Sequence, residues 1–155
     1  MKNIKYYLSA ALWILIYLGV ASVIGNVTRE QIPDWYALLR KPPLNPPDFV
    51  FPIVWTILYV MIAIAGWRLC RASSDKKIII LFAVQTLMNW AWSFFFFKYH
   101  LLGFSFAWIL ALIGIVCWLI VSIRKSDRVS ALLLIPYLLW ISFAAYLNGM
   151  IWHLN

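Results

Sequence analysis

Charge in this chain is confined to short clusters, and the stretches between them are long. No Asp, Glu, Lys or Arg occurs in Tyr6–Thr28, Phe49–Trp67, Ile78–Phe97, Tyr99–Ile123 or Val129–Asn155. A transmembrane helix needs about 20 apolar residues, and each stretch is near that length or longer. None shows the two-residue alternation of a membrane barrel strand. The chain therefore reads as an all-α integral membrane protein, a five-transmembrane-helix bundle forming a single membrane domain over residues 1–155. The spans are expected at about 5–26, 49–70, 78–98, 103–123 and 129–152, with a long ordered loop over about 27–48. Composition agrees. The chain is 65% apolar and 12% charged, with a mean hydropathy of +0.88. Soluble domains are about half apolar and a quarter charged, so this chain lacks the polar groups to face water.

The first span follows Lys2 and Lys5, as a signal peptide would. Its apolar run is too long for one, and no A-x-A-like site closes it, so it reads as a true span. A net charge of +8 would point to nucleic acid in a soluble protein. Here its distribution points to topology, and no nucleic-acid partner is expected. With the N-terminus in the cytoplasm, Lys2, Lys5, Arg68, Arg71, Lys76, Lys77, Arg124, Lys125 and Arg128 lie inside, while Arg29, Arg40, Lys41 and Lys98 lie outside. Cys70 and Cys117 have no metal or redox spacing and read as buried small apolar residues. No metal and no required cofactor are expected.

Three connections are minimal and one is long. "WYALLRKPPLNPPDFVFPIVW" (35–55) holds five prolines and five aromatics. It is too apolar to stay disordered in water, and its prolines fix φ without needing backbone hydrogen bonds. "IPDWYALL" (32–39) can start a short helix. The segment reads as a prefolded lid across the helix ends. Elsewhere, Gly19, Ser22 and Gly25 allow a helix to approach the first span closely. Gly103, Ala107 and Ala111 do the same for the fourth. Pro136 is expected to bend the fifth span near its start.

Three spans carry periodic rows. Phe51, Trp55 and Tyr59 are spaced four apart, as are Gln85, Asn89 and Ser93, with Trp92 beside them. Tyr137, Trp140, Ala144 and Asn148 step by three, four and four. Neutral polar groups in lipid need partners, so these rows face inward. Two readings are open: they glue helices together, or they line an aromatic cavity suited to a planar apolar ligand. Trp13, Trp67, Trp118 and Trp152 are assigned to the membrane interface. His100 and His153, near span ends, read as interfacial rather than as haem ligands. The span interiors lack ionisable residues, which disfavours ion-coupled pumps and proton antiporters. No P-loop, G-x-S-x-G or H-E-x-x-H motif occurs, so no nucleophile and base can be paired.

"WYALLRKPPLNPPDFVFPIVWTILY" (35–59), "LMNWAWSFFFF" (87–97) and "LLLIPYLLWISFAAYLNGMIWHLN" (132–155) together resemble the translocator protein family. Its members are also called tryptophan-rich sensory proteins and peripheral benzodiazepine receptors. The resemblance covers nearly the whole chain and is closest to bacterial-type members, implying a bacterial cell membrane. It implies a five-helix bundle, commonly a homodimer, with a pocket for porphyrins and for isoquinoline carboxamide or benzodiazepine ligands. By matching positions, the pocket takes Trp35, Tyr36 and Pro46 from the loop and Trp55 and Tyr59 from the second span. It adds Asn89 and Trp92 from the third, and Trp140 and Ala144 from the fifth. Phe51 joins them through its row with Trp55. Protoporphyrin IX is the implied ligand. Its light-dependent breakdown has been proposed for bacterial relatives, which makes Trp55 and Trp140 candidate participants. The function expected is a receptor for tetrapyrroles in sensing or homeostasis, with a porphyrin-degrading enzyme or a transporter of lipophiles as alternatives. Animal members carry a cholesterol-recognition pattern late in the fifth span. Here Gly149 and His153 fall where its Tyr and Arg stand, so cholesterol binding there is not expected.

Overall fold

The structure is a computed structural model that describes residues 2–72 and 75–155, with side chains from Ile4 onward. Helix α1 runs over Lys2–Gln31, α2 over Val50–Ala72, α3 over Lys76–Ser93, α4 over Leu102–Ile123 and α5 over Arg128–Leu154. All five are long and apolar enough to cross a membrane. No strand occurs among the described residues. The expected five-helix architecture is therefore the observed one.

The boundaries differ where hydropathy and hydrogen bonding part company. Helix α1 continues past the expected end at 26 to Gln31. Charged Arg29 and Glu30 mark the bilayer surface, but a helix ends only where its backbone hydrogen bonds end. The long connection shrinks to residues 32–49 accordingly. The link Arg71–Lys77 lies partly outside the described residues. At its end Asp75 caps α3, accepting from the Lys77 backbone N–H at 2.9 Å. At the other end of α3 the helix widens into a π turn over Phe94–Lys98. The Tyr99 N–H reaches back to the Phe94 carbonyl at 2.9 Å.

The helices form a ring in the order α1, α2, α5, α4, α3, with the α1–α2 and α4–α5 faces the most extensive. Close approach is enforced at Gly66 on α2, where a Cβ would collide with the Phe82 ring of α3 and lie 2.7 Å from Trp13 of α1. Gly103 meets Trp152 and Gly149 meets Phe106 across the α4–α5 contact in the same way. The other small residues behave otherwise. Gly19, Ser22 and Gly25, and likewise Ala107 and Ala111, lie on outward faces. No helix of this chain packs on Gly19 or Gly25.

Cys70 and Cys117 are both exposed rather than buried. Lipid is as apolar as a protein core, so a thiol gains nothing by turning inward. Two tryptophans assigned to the interface also pack within the bundle. Trp13 stacks on Tyr17 at 6.3 Å. Trp67 is buried and donates from Nε1 to the Ser9 Oγ at 3.0 Å. Trp118 and Trp152 are exposed. Helix α5 runs unbroken through Pro136.

Alternating helix direction gathers the charges at two ends. Lys5, Arg68, Arg71, Lys76, Lys77, Arg124, Lys125 and Arg128 share one end, and Arg29, Arg40, Lys41 and Lys98 share the other. At the first end Arg68 Nη2 of α2 donates to the Asp127 carboxylate at 2.9 Å. Asp127 also caps α5, accepting from the Ser130 N–H at 3.1 Å and the Ser130 hydroxyl at 2.6 Å.

Candidate ligand-binding site

Among the rows expected to face inward, Tyr59, Gln85, Asn89, Tyr137, Ala144 and Asn148 are buried, and Phe51, Trp55, Trp92 and Trp140 are partly so. Helical spacing places each row on one face, and the ring order turns those faces toward one another.

The helix half of the candidate site is knit across α2, α3 and α5. The Tyr59 hydroxyl donates to Asn89 Oδ1 at 3.0 Å. Trp55 lies against Tyr59, ring centroids 5.4 Å apart. Phe51 meets Trp140 edge-on at 6.0 Å. Trp92 Nε1 donates to Asn148 Oδ1 at 3.2 Å, and Asn148 Nδ2 donates onward to the Leu102 carbonyl at 2.9 Å. The polar groups thus act as interhelical bonds, while the aromatic rings fill the space between them.

The loop half sits on the π turn. A single 3-10 turn, Tyr36–Leu38, replaces the short helix expected over 32–39. Trp35 packs edge-on to Phe96 at 5.6 Å and stacks on His100 at 4.0 Å. His100 adopts φ 56, the left-handed region that a side-chain-bearing residue enters only at a cost. Tyr36 is buried against Phe96 and Phe97, and its hydroxyl donates to Asn45 Oδ1 at 2.9 Å. Burial pushes that hydroxyl up to about 12, with the Asn45 bond partly offsetting and Asp48 adding to the shift. Tyr36 is therefore a fixed donor at neutral pH. Asn45 Nδ2 in turn donates to the Pro46 carbonyl at 3.0 Å. The Lys41 ammonium rests 4.4 Å over the Tyr36 ring, a cation–π contact. Arg40 is tied through its backbone to the Asn155 side chain by bonds of 3.0 and 3.1 Å, which fastens the loop to the end of α5.

The ten site residues read from the sequence thus fall into two groups. Trp35 and Tyr36 belong to the cluster around Phe96 and Ile151. Tyr59 and Ala144 belong to the main core, with Trp55 and Trp140 packed against it. Trp92 touches both groups and stacks on Phe96 at 5.2 Å. Pro46 is linked to Tyr36 through Asn45. The rings of the helix half occupy the interior themselves. The open space that adjoins them is an apolar groove of about 400 Å³ between α2 and α5, bounded by Val54, Ile57, Met61, Pro136, Trp140 and Phe143. Trp140 forms part of its wall, yet Trp140 Nε1 is buried with no partner, so the N–H is turned away from the groove.

Sequence reasoning missed two partners. Tyr17 of α1 shares a hydrogen bond with Thr86 at 2.8 Å, and Gln85 Nε2 donates to the same Thr86 oxygen at 2.8 Å. A phenol inside the aliphatic run ILIYLG was the available signal for the first. His100 was placed at a span end, but nothing in the sequence showed that it stacks on the loop.

Five spanning helices, an aromatic and uncharged interior and a folded loop tied over one end define a polytopic membrane protein built around a neutral core. The profile of the TspO/MBR family matches residues 11–153, and the chain belongs to that family. It is 35% identical to the tryptophan-rich protein TspO of Chlorobaculum tepidum over 97% of this chain and 98% of that one. It is 32% identical to the protein CrtK of Rhodobacter capsulatus over 78% of each. To the translocator protein of Ovis aries it is 33% identical, over 90% of this chain and 82% of the relative. This membership supports a ligand-binding role in a membrane.

Proposed function

We propose that this chain is a membrane receptor for planar porphyrin-type ligands, serving tetrapyrrole sensing or homeostasis, and that it also accepts isoquinoline carboxamide or benzodiazepine-type ligands. The observation that carries the reading is an aromatic interior in which Trp55 lies against Tyr59, itself bonded to the neutral Asn89, while Trp92 and Trp140 pack against the same core. Binding exchanges ring–ring contacts for ligand–ring contacts at little cost in dispersion. No charge stands in the span interiors to oppose an apolar body. Lys41, over Tyr36, is placed to meet a carboxylate that remains at the loop end.

Titrating protoporphyrin IX into the detergent-solubilised chain in darkness should quench tryptophan fluorescence saturably. The Trp55→Ala, Trp140→Ala double variant should bind at least tenfold more weakly, because each large aromatic contributes about 1 kcal/mol or more to such a site. Equal affinity in the double variant would rule out this site.

The contact between Trp55 and Tyr59, two readily oxidised rings, favours light-dependent porphyrin breakdown as a second reading. Multiple turnovers with one defined product under illumination would support it. Stoichiometric bleaching with tryptophan damage would leave binding alone. The charge asymmetry supports a cytoplasmic N-terminus, and the likeness to bacterial relatives such as those of Chlorobaculum tepidum and Rhodobacter capsulatus supports a bacterial cell membrane. The outward Gly19–Ser22–Gly25 face of α1 is a surface free for a homodimer.

A further inference from the structure

Most buried polar groups in the bundle interior are paired. Tyr17 shares its hydroxyl hydrogen bond with Thr86, and Tyr59 donates to Asn89. Tyr137 differs. Its side chain is fully buried, and its hydroxyl has no hydrogen-bond partner. The Asn89 side chain acts on that hydroxyl from close by without making a bond of good geometry, its Oδ1 accepting from Tyr59 instead. Three residues along α5, Trp140 Nε1 is also buried without an acceptor, as are Trp90 Nε1 on α3 and, among acceptors, Gln85 Oε1. A spacing of three sets Tyr137 and Trp140 on one face of the helix.

A donor left unmet inside a membrane bundle is costly, because no water can reach it. Phenylalanine would fill nearly the same volume without that cost. Packing alone therefore does not account for a tyrosine at position 137. Tyr137 is a fully buried member of the main core, against which Trp55, Trp92 and Trp140 also pack.

We infer that the Tyr137 hydroxyl is a specificity-determining group of the ligand site, donating a hydrogen bond to a neutral acceptor on the buried edge of the ligand. The inference rests on the binding function proposed above. The acceptor class is a carbonyl oxygen or an imine-type ring nitrogen. A carboxylate is excluded at this depth, since no cation lies within any span to balance it. A ligand reaches Tyr137 by displacing the Trp55 and Trp140 rings, so the ligand is oriented with its ionised groups toward the loop.

The test compares Tyr137→Phe with the unaltered full chain in detergent. Two probes are used: an isoquinoline carboxamide, and the analogue whose amide carbonyl is replaced by a methylene. Thermal stability without ligand is measured alongside. The variant should bind the carboxamide about fivefold more weakly, the loss expected for one neutral hydrogen bond. It should bind the methylene analogue as the unaltered chain does, and its ligand-free stability should be equal or higher. Equal carboxamide affinity in the two proteins would overturn the inference. So would an equal loss for both probes together with lower stability, which is the signature of a packing role. If the unaltered chain binds neither protoporphyrin IX nor the carboxamide, the binding function itself falls and this inference with it.

Discussion

Asp127 is the cap of α5 and the carboxylate that Arg68 reaches from α2. Burial would push its carboxyl up, but the Arg68 guanidinium and the two Ser130 donors outweigh that and hold it below the ordinary carboxylate range. Because the folded-state pKa is the lower one, its contribution to stability is complete above the unfolded value of about 4. That contribution is lost as pH falls through the folded value. Unfolding in detergent should therefore show no change from this group between pH 7 and about 5, then a decline below about 4. Asp127→Ala should remove that acid-side decline and cost about 1–2 kcal/mol at pH 7. Most of that loss belongs to the cap, since the Arg68 side chain is 33% exposed and water weakens its share. A variant with unaltered stability at pH 7 would show that the Ser130 bonds, and not only the ion pair, add nothing.

Helix contacts depend on a few positions where no side chain fits. Gly66 is the tightest, set between Phe82 and Trp13 at the junction of α1, α2 and α3. Phe82 is itself buried and cannot swing aside. Gly66→Ala should destabilise the fold by about 1–3 kcal/mol, as overpacking does, seen as a lower midpoint of thermal unfolding. Gly19→Ala, on the outward face of α1, should leave the midpoint unchanged in the monomer. Elements were legible in the sequence to different depths. Five charge-free stretches located five helices, because the bilayer imposes length and hydropathy together. Their ends were less legible, since Arg29 and Glu30 extend α1 into the headgroup region without interrupting its hydrogen bonds. The π turn at Phe94–Lys98 left no mark in hydropathy, because four phenylalanines read alike in any helical register. That turn is what carries Phe96 and Phe97 to Tyr36, so the seat of the loop was hidden as well.

At the scale of the whole molecule, orientation follows from which cluster of cations stays in the cytoplasm. In a Cys70→Ser, Cys117→Ser background, an impermeant maleimide added to intact cells should label Lys41→Cys and spare Lys5→Cys. The reverse pattern would overturn the proposed orientation. The inward rows were readable from spacing because a helix in lipid hides its polar face. Whether those rows glue or enclose was not readable, since both demand the same residues. The bonds of Tyr59 to Asn89 and of Trp92 to Asn148 show the gluing, and the unspent donors on α5 leave capacity for a ligand. Tyr17 and Thr86 escaped notice because their pairing depends on which helices are neighbours, and the ring order is a tertiary fact. The separation of charge into two end clusters has an electrical consequence. Moving one elementary charge across the membrane potential is worth about 2.3 kcal/mol per 100 mV, and voltage sensors work by that coupling. Here the middle of every helix is uncharged, so the potential finds nothing in the bundle to pull on. Changes in voltage should leave the conformational balance of the protein untouched. Any current that accompanies ligand movement through the bundle would then count only the charges on the ligand.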